Sequence, residues 1–367
     1  MTDVRDPAEQ TALLVIVTFN SYDHLPDIAE SVRQFVDARP GNYVAIIENS
    51  GDGRIPDHLN TACPGSRVLA EVAPSNEGFS HGVNLGISLA RQKWGHFDVV
   101  ALMNPDVLAG GSVVAELVDR APIELAANVG IWGPVLRDEA GAIDRGCARR
   151  AWNYRRLFSH ILGHPNLAKV LGTPQQNLTM HEIRSDQSDL AMAGGALMCI
   201  RSEVIDDGLD TRLPMYLEDQ EICMRAGKKG YSVHVHPDLM AVHIGGVSRK
   251  SVTKHERALR IMELVESPVQ CMHRLQNYDL LRLRLIVLIA GITRLLAVAP
   301  TAAGKVARGN VPLGDAPAWT VGQFRLAWWY VLWAVSGRFH ETEISLHDYI
   351  NSFADKSGSR LDEPLVA

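Results

Sequence analysis

The chain is poor in features that would mark several large classes of protein. It has only 5 cysteines in 367 residues. Cys63, Cys147, Cys199, Cys223 and Cys271 are scattered with no Cys-x-x-Cys pair, which excludes a disulfide framework and implies reduced thiols. Basic charge is not in excess: the net charge is −6, so no nucleic-acid partner is expected. Its most apolar stretch, Leu280 to Ala299, is broken by Arg282, Arg284 and Arg294. The longest uncharged piece before Arg294 falls short of the ~20 residues of a spanning helix. Met1 to Gln10 is charged and lacks an apolar core, so the expected location is cytoplasmic. No internal repeat is visible. An apolar fraction of 46% and a charged fraction of 21% leave an ordinary globular chain, long enough for one large domain plus an appendage.

The first half alternates strands and helices. Leu13 to Phe19 reads as a strand buried on both faces, followed by a helix with Leu25, Ile28, Val32, Phe35 and Val36 on one side. Strands are expected at Tyr43–Ile47, Val68–Val72, Phe97–Met103 and Val129–Leu136. A helix capped by Ser80 should run to about Arg91, and another should start at Ser112. This alternation predicts an α/β fold with a doubly wound, mostly parallel sheet. Residues 144 to 190 are polar and irregular, expected to form loops over a site. Order returns at Ala191–Ile200, broken by Gly194-Gly195, then in a helix at Glu218–Lys229 and a strand at Tyr231–Val235.

Two acidic groups stand out. Asn104-Pro105-Asp106 follows an apolar strand, placing an amide and a carboxylate at a strand's carboxyl edge, where open α/β sheets bind ligands. Hard oxygen ligands there suit Mg²⁺ or Mn²⁺. The plain alternative is a turn, since all three residues are turn formers. About a hundred residues later, Glu218-Asp219-Gln220-Glu221 offers a general base, or merely acidic residues complementing a helix dipole. Metal plus base in a nucleotide-binding sheet points to transfer from an activated, diphosphate-bearing donor.

Seven pieces in order make the reading specific: Val17-Thr18-Phe19-Asn20; Glu48-Asn49-Ser50; Asn76-Glu77-Gly78-Phe79 with Asn84-Leu85-Gly86; Asn104-Pro105-Asp106; Gly194-Gly195-Ala196; Tyr216-Leu217-Glu218-Asp219-Gln220-Glu221 with Arg225; and Val242-His243 before Gly245-Gly246. With them the chain resembles family 2 glycosyltransferases of GT-A fold, and most of all their rhamnosyltransferase-type bacterial members. The resemblance extends to about Ser251.

The resemblance implies an inverting transferase with Mg²⁺ or Mn²⁺ held by Asp106 under the donor diphosphate. Family members carry Asp-x-Asp where this chain has Asn104 first, so Asn104 adds only a neutral contact. His243 matches a metal- or phosphate-binding histidine, and Arg249 and Lys250 could reach the diphosphate; a basic loop is the duller reading. Asp219 takes the place of the general base, with Glu218 and Glu221 as pKa-tuning or acceptor-binding neighbours. Arg225 is acceptor-binding or simply a helical partner of Glu221. Thr18, Asn20, Glu48 and Asn49 fall at the nucleotide end, Glu48 replacing the family's aspartate. Asn76, Gly78, Phe79 and Asn84 form the next donor contacts, while Gly194 and Gly195 give the acceptor room or mark a bulge.

The expected domains are a catalytic 1–251, with a nucleotide-sugar half at about 11–110 and an acceptor half at about 111–251, and a helical 252–367. In the latter, Trp328, Trp329 and Trp333 between Arg325 and Arg338 suit a membrane interface, or a hairpin packed on the catalytic domain or in a homodimer. The donor is expected to be dTDP-rhamnose, or a UDP-sugar in a hexosyl- or galactofuranosyltransferase. The acceptor would be a saccharide, free or polyprenyl-diphosphate-linked, at the cytoplasmic face of the membrane. A nucleotidyltransferase is disfavoured by Thr18-Phe19-Asn20-Ser21-Tyr22, which lacks a Gly-rich basic loop. A non-catalytic scaffold is disfavoured because both Asp106 and Asp219 are present.

Overall fold

A computed structural model describes residues 10–108, 110–144, 146–163, 172, 176–213, 215–245, 262–309 and 314–336. Gly246, Arg249, Lys250 and Arg338 lie outside the described residues. The chain divides into two compact units, the first holding 10–151 and 177–245 and the second 152–163, 172, 176 and 262–336 among the described residues.

The first unit is built on β1 (Ala12–Thr18) and β4 (Val99–Met103), whose residues are all buried. Their unbroken runs of Ala, Val, Leu, Ile and Met suit a strand covered on both faces. Around them stand β2 (Asn42–Glu48), β3 (Val68–Val72), β5 (Val107–Leu108), β6 (Val129–Arg137), β9 (Leu197–Arg201) and β10 (Ser232–His243). The sheet order is β3-β2-β1-β4-β9-β6-β10-β5. β3, β2, β1 and β4 are mutually parallel, β9 runs antiparallel between β4 and β6, and β10 is parallel to β6. A separate ribbon pairs β7 (Ala148–Arg150) with β8 (Leu190–Ala193). All five cysteines are free and buried.

The helices of this unit are α1 (Leu25–Ala38), α2 (Arg54–Ala62), α3 (Phe79–Trp94), α4 (Gly110–Asp119) and α5 (Ala121–Ala126). The second unit's α6 (Tyr154–Leu162) comes next, and α7 (Met180–Ser185), α8 (Ser202–Ile205) and α9 (Glu218–Lys228) complete the first unit. Ser80 is not the expected cap: Gly78 holds the N-cap position, and the buried Ser80 hydroxyl donates to the Leu213 carbonyl at 2.6 Å. The span 144 to 190 is more regular than expected, containing β7, α6 and α7, because Asn153 and Thr179 each cap a short helix with their side chains.

In the second unit, α10 (Leu280–Ala307) starts at the Asp279 cap and packs against α11 (Ala316–Ser336). Gly291 lets the two approach: a Cβ there would lie 3.2 Å from Cβ of Tyr330. The expectation of no spanning-length helix is corrected by α10, 28 residues of mean hydropathy 2.0 in its most apolar window, long and apolar enough to cross a bilayer by length and composition. Between Arg284 and Lys305 the only charge is Arg294, and it points inward. Its guanidinium donates to the Ile161 carbonyl and to Gln323 Oε1, both at 2.7 Å.

The contact of α1 with α4 depends on one missing side chain. A Cβ on Gly111 would lie 2.0 Å from the Ser31 carbonyl oxygen, whereas one on Gly227 in α9 would meet nothing within 4 Å. Gly111→Ala should therefore destabilise the fold by about 1–3 kcal/mol through overpacking. Gly227→Ala should stabilise it by about 0.5–1 kcal/mol through helix propensity. Urea unfolding followed by circular dichroism checks both signs; equal midpoints would refute the α1–α4 packing.

Candidate active site

The strand order reverses beside β1, which has β2 on one side and β4 on the other, and ligands of open α/β sheets bind at such a point. On the β2 side the strand ends are stitched to the loops that follow them. The Thr18 carbonyl accepts the Asn49 N–H at 2.8 Å, and the Asn20 N–H donates to Ser50 Oγ at 2.7 Å. Glu48 is fully buried and its two carboxylate oxygens accept the N–H groups of Ser50 at 2.8 Å and Gly53 at 3.1 Å. The Asn49 amide donates to the Gly78 carbonyl at 3.2 Å, and Asn76 Oδ1 accepts the Gly78 N–H at 3.2 Å. Gly78 has φ 111°, a conformation that favours glycine. Thr18, Asn20, Glu48, Asn49, Asn76 and Gly78 are thus gathered around the ends of β1 and β2 and the start of α3, with Phe79 as that helix's first residue.

On the β4 side, two residues of antiparallel pairing set the geometry. Val107 lies opposite His243 and Leu108 opposite Val242, so Asp106, one step earlier, meets the imidazole. His243 Nε2 lies 3.4 Å from Asp106 Oδ1, and Nδ1 lies 2.8 Å from Asp144 Oδ2. Burial opposes a charge on His243, but hydrogen bonds to the two aspartates outweigh it and push its pKa up to about 9. Burial likewise opposes charge on Asp144, and the His243 and Gly146 hydrogen bonds overcome it, holding that carboxyl below its usual range. Asn104 and Asp106 do form a turn: the Asn104 carbonyl accepts the Val107 N–H at 3.3 Å, and the Asn104 N–H donates to Ala196 at 2.8 Å. The turn and the ligand reading coexist, because the turn is what presents Asp106.

The acidic cluster opens α9. Tyr216 and Leu217 before it have φ of 67° and 65°, a left-handed conformation that costs bulky residues roughly 1–2 kcal/mol each. Asp219 is anchored by the Gly195 N–H on Oδ2 at 3.2 Å and the Gln220 N–H on Oδ1 at 2.8 Å. A Cβ on Gly195 would lie 2.7 Å from Cβ of Asp219, and one on Gly194 would lie 2.9 Å from the Gly146 carbonyl. Both glycines are thus required by packing. Among the described residues Glu218 Oε2 is buried without a hydrogen-bond partner. Burial and then the Asp219 charge push the Glu218 carboxyl up to about 8, Arg149 opposing them.

Three expected site residues lie apart from these. Two steps along a helix turn a side chain to the other face, and Glu221 is buried there, paired with Arg225 at 3.1 Å. Burial raises the Glu221 pKa, with Arg225 opposing. Arg225 also donates to the Gly208 carbonyl at 2.7 Å. Asn84 uses both ends of its amide on the Leu209 backbone, at 2.9 and 2.7 Å. Glu221, Arg225 and Asn84 together hold the loop at 208–209.

Asp144 and Arg149 escaped the sequence reading. Asp144 meets a histidine 99 positions away, and no local pattern marks such a pair. A further group, Glu124, His234 and His236, has ligand atoms within 4.8 Å of one another. It lies toward the amino end of β10, away from His243. Arg120 donates to His236 Nδ1 at 3.0 Å, which puts the ring proton on Nε2, 3.2 Å from Glu124. Burial opposes the Glu124 charge, yet the two imidazoles bring its pKa down to about 2. As arranged, the imidazoles act as partners of the carboxylate.

A profile of the family described as Glycosyltransferase like family 2 matches residues 10–262. The chain is 21% identical over 234 residues to rhamnosyltransferase WbbL of Escherichia coli (strain K12), covering 63% of this chain and 82% of that one. It is 26% identical over 245 residues to the N-acetylglucosaminyl-diphospho-decaprenol L-rhamnosyltransferase of Mycobacterium tuberculosis (strain CDC 1551 / Oshkosh), covering 63% of this chain and 75% of that one. Among solved structures, the mannosyltransferase PcManGT from Pyrobaculum calidifontis, in complex with GDP-Man and Mn²⁺, aligns with a TM-score of 0.52 at 15% identity. That alignment covers 90% of this chain and 89% of that one, and it shows the shared GT-A fold. With the family profile matched over more than half its length, the chain belongs to the Glycosyltransferase like family 2, whose reaction is glycosyl transfer from a nucleotide sugar.

Proposed function

We propose that the chain is a metal-dependent, inverting glycosyltransferase that moves L-rhamnose from dTDP-rhamnose to a polyprenyl-diphosphate-linked saccharide. The observation that carries the metal and base assignments is the meeting of Asp106 with His243 at the strand ends, on a turn hydrogen-bonded to Ala196 beside the Gly195 contact of Asp219. The rhamnose reading is supported by the names of the two relatives, and the lipid-linked acceptor by the decaprenol of the second.

The donor atoms fit a divalent ion. One carboxylate oxygen and one imidazole nitrogen lie 3.4 Å apart, close to the ~3 Å between neighbouring ligands of a six-coordinate ion at about 2.1–2.2 Å. Imidazole favours Mn²⁺ over Mg²⁺. When bound there, the ion would neutralise charge building on the departing diphosphate. Thr18, Asn20, Glu48, Asn49, Asn76, Gly78 and Phe79 would form the nucleotide end, Asn104 would add a neutral contact, and Gly194-Gly195 would leave room for the acceptor. Asp219 takes the proton from the acceptor hydroxyl as that oxygen bonds to the anomeric carbon. The bond from that carbon to the diphosphate oxygen breaks on the opposite face, inverting the configuration and releasing the nucleoside diphosphate. Glu218, its carboxyl pushed up to about 8 by burial and then by the Asp219 charge, favours its protonated form there.

The second unit would hold the protein at the cytoplasmic face of the membrane. α10 exposes Leu281, Leu285, Ile289, Ile292 and Leu296, and α11 exposes Val321, Phe324, Trp328, Leu332 and Val335. Neither helix contains an acidic residue, and Arg282, Arg284, Lys305 and Arg325 are exposed or half-exposed cations besides the hydrogen-bonded Arg294, a combination suited to anionic lipid. The expected trio of tryptophan anchors divides: Trp328 is exposed, but Trp333 is 5% exposed and belongs to the hairpin's packing.

Three outcomes test this reading. Transfer from dTDP-rhamnose should stop in EDTA and return with Mn²⁺, and Asp106→Ala should lose the donor's thermal stabilisation; full activity in chelator, or activity only with UDP-sugars, would refute the metal or the donor. Asp219→Asn should keep donor binding and lower turnover by at least ~10²-fold; wild-type turnover would move the base to Glu218. The protein should float with anionic vesicles, and Leu285→Ser with Ile289→Ser and Ile292→Ser should abolish flotation at unchanged donor binding. A wild type that ignores vesicles but dissociates to monomers in the triple variant would assign this face to a homodimer.

A further inference from the structure

We propose that Asp144 is a positioning residue that fixes the His243 ring so that its Nε2 faces Asp106 as a metal ligand. The inference rests on the metal reading of Asp106 and His243 above. A neutral imidazole has one N–H and one lone pair, and whichever nitrogen donates a hydrogen bond leaves the other to the ion. Asp144 Oδ2 lies 2.8 Å from Nδ1, while Nε2 lies 3.4 Å from Asp106 Oδ1. The Nδ1 proton is thus claimed by Asp144, so Nε2 is the nitrogen that releases its proton to take up the ion, on the side where Asp106 waits.

Asp144 can do this because its own orientation is set by main chain. Its N–H donates to the Leu136 carbonyl at 2.9 Å, and its carbonyl accepts the Cys147 N–H at 3.0 Å. Its Oδ1 accepts the Gly146 N–H at 2.5 Å. Only Oδ2 is left to point at the ring. The pairing of β5 with β10 fixes the His243 backbone. The ladder sets where the residue sits, and Asp144 sets how its ring is turned. A carboxylate in this position also makes the imidazole more basic and adds negative charge near the cation, both of which tighten metal binding.

The test measures Mn²⁺ alone binding to the full-length protein, by the electron paramagnetic resonance of free Mn²⁺. Asp144→Ala should weaken binding by about 10- to 100-fold, and Asp144→Asn by less, because its amide oxygen still accepts the Nδ1 proton. In a His243→Ala background, Asp144→Ala should cause no further loss, since a positioning residue has nothing left to position. An unchanged affinity in Asp144→Ala, or an equal loss in both backgrounds, overturns the inference while leaving the metal reading intact. If Asp106→Ala and His243→Ala both bind Mn²⁺ as the wild type does, or the wild type has no saturable site, the metal reading itself fails. Should Asp144→Ala not fold, Asp144→Asn completes the same cycle.

Discussion

Everything functional in the first unit follows from the burial of β1 and β4. Twelve residues in two adjacent strands are enclosed on both faces, and a polar side chain among them would need a buried partner. Chemistry therefore begins only where the strands stop. Thr18 is the last residue of β1, Glu48 the last of β2, and Asn104 the first after β4. The strand order reverses at β1, and these residues stand at the strand ends beside that reversal because the hydrophobic requirement ends there.

That requirement is also why so much could be read from the sequence. β1, β2, β4 and β6 were legible to within one or two residues, since a buried strand is a continuous apolar run, and the half-exposed edge strand β3 was legible residue for residue. α9 was equally plain, from its acidic first turn to its basic last turn. Legibility failed where long-range partners decide the structure. Ser80 looks like a cap, but its hydroxyl is used on Leu213, 133 residues away. β10 continues to His243 through His236 and Asp238 because β6 and β5 pair with it there, although its own pattern stops at Val235. The capped helices at Tyr154 and Met180 were hidden by the polar residues surrounding them.

The site shows the same limit. Asp106, Asp219 and His243 stand out by type and order, and the fold brings each to an element's end. Their supports do not stand out. Asp144 faces His243, Gly195 must be glycine because Asp219 occupies the space of a side chain, and two left-handed residues turn the chain into α9. Glu221, Arg225 and Asn84 look like ligand contacts in the sequence, yet Arg225 and Asn84 spend hydrogen bonds on the 208–209 loop and Glu221 is paired with Arg225. A residue type alone does not say whether it faces a substrate or a backbone.

Glu218 and Asp219 show how neighbours of the same charge become different groups. Asp219 accepts two backbone N–H groups, which stabilise a carboxylate. Glu218 Oε2 accepts none among the described residues and is buried, so the cost of charging both falls on Glu218, whose pKa rises to about 8. Below the ordinary glutamate range the proton is present folded or unfolded. From there up to about pH 8 the folded chain alone retains it, so this group's contribution to stability declines as pH rises through that window. The cost in stability arises first from the burial of Glu218 and then from the charge of its neighbour.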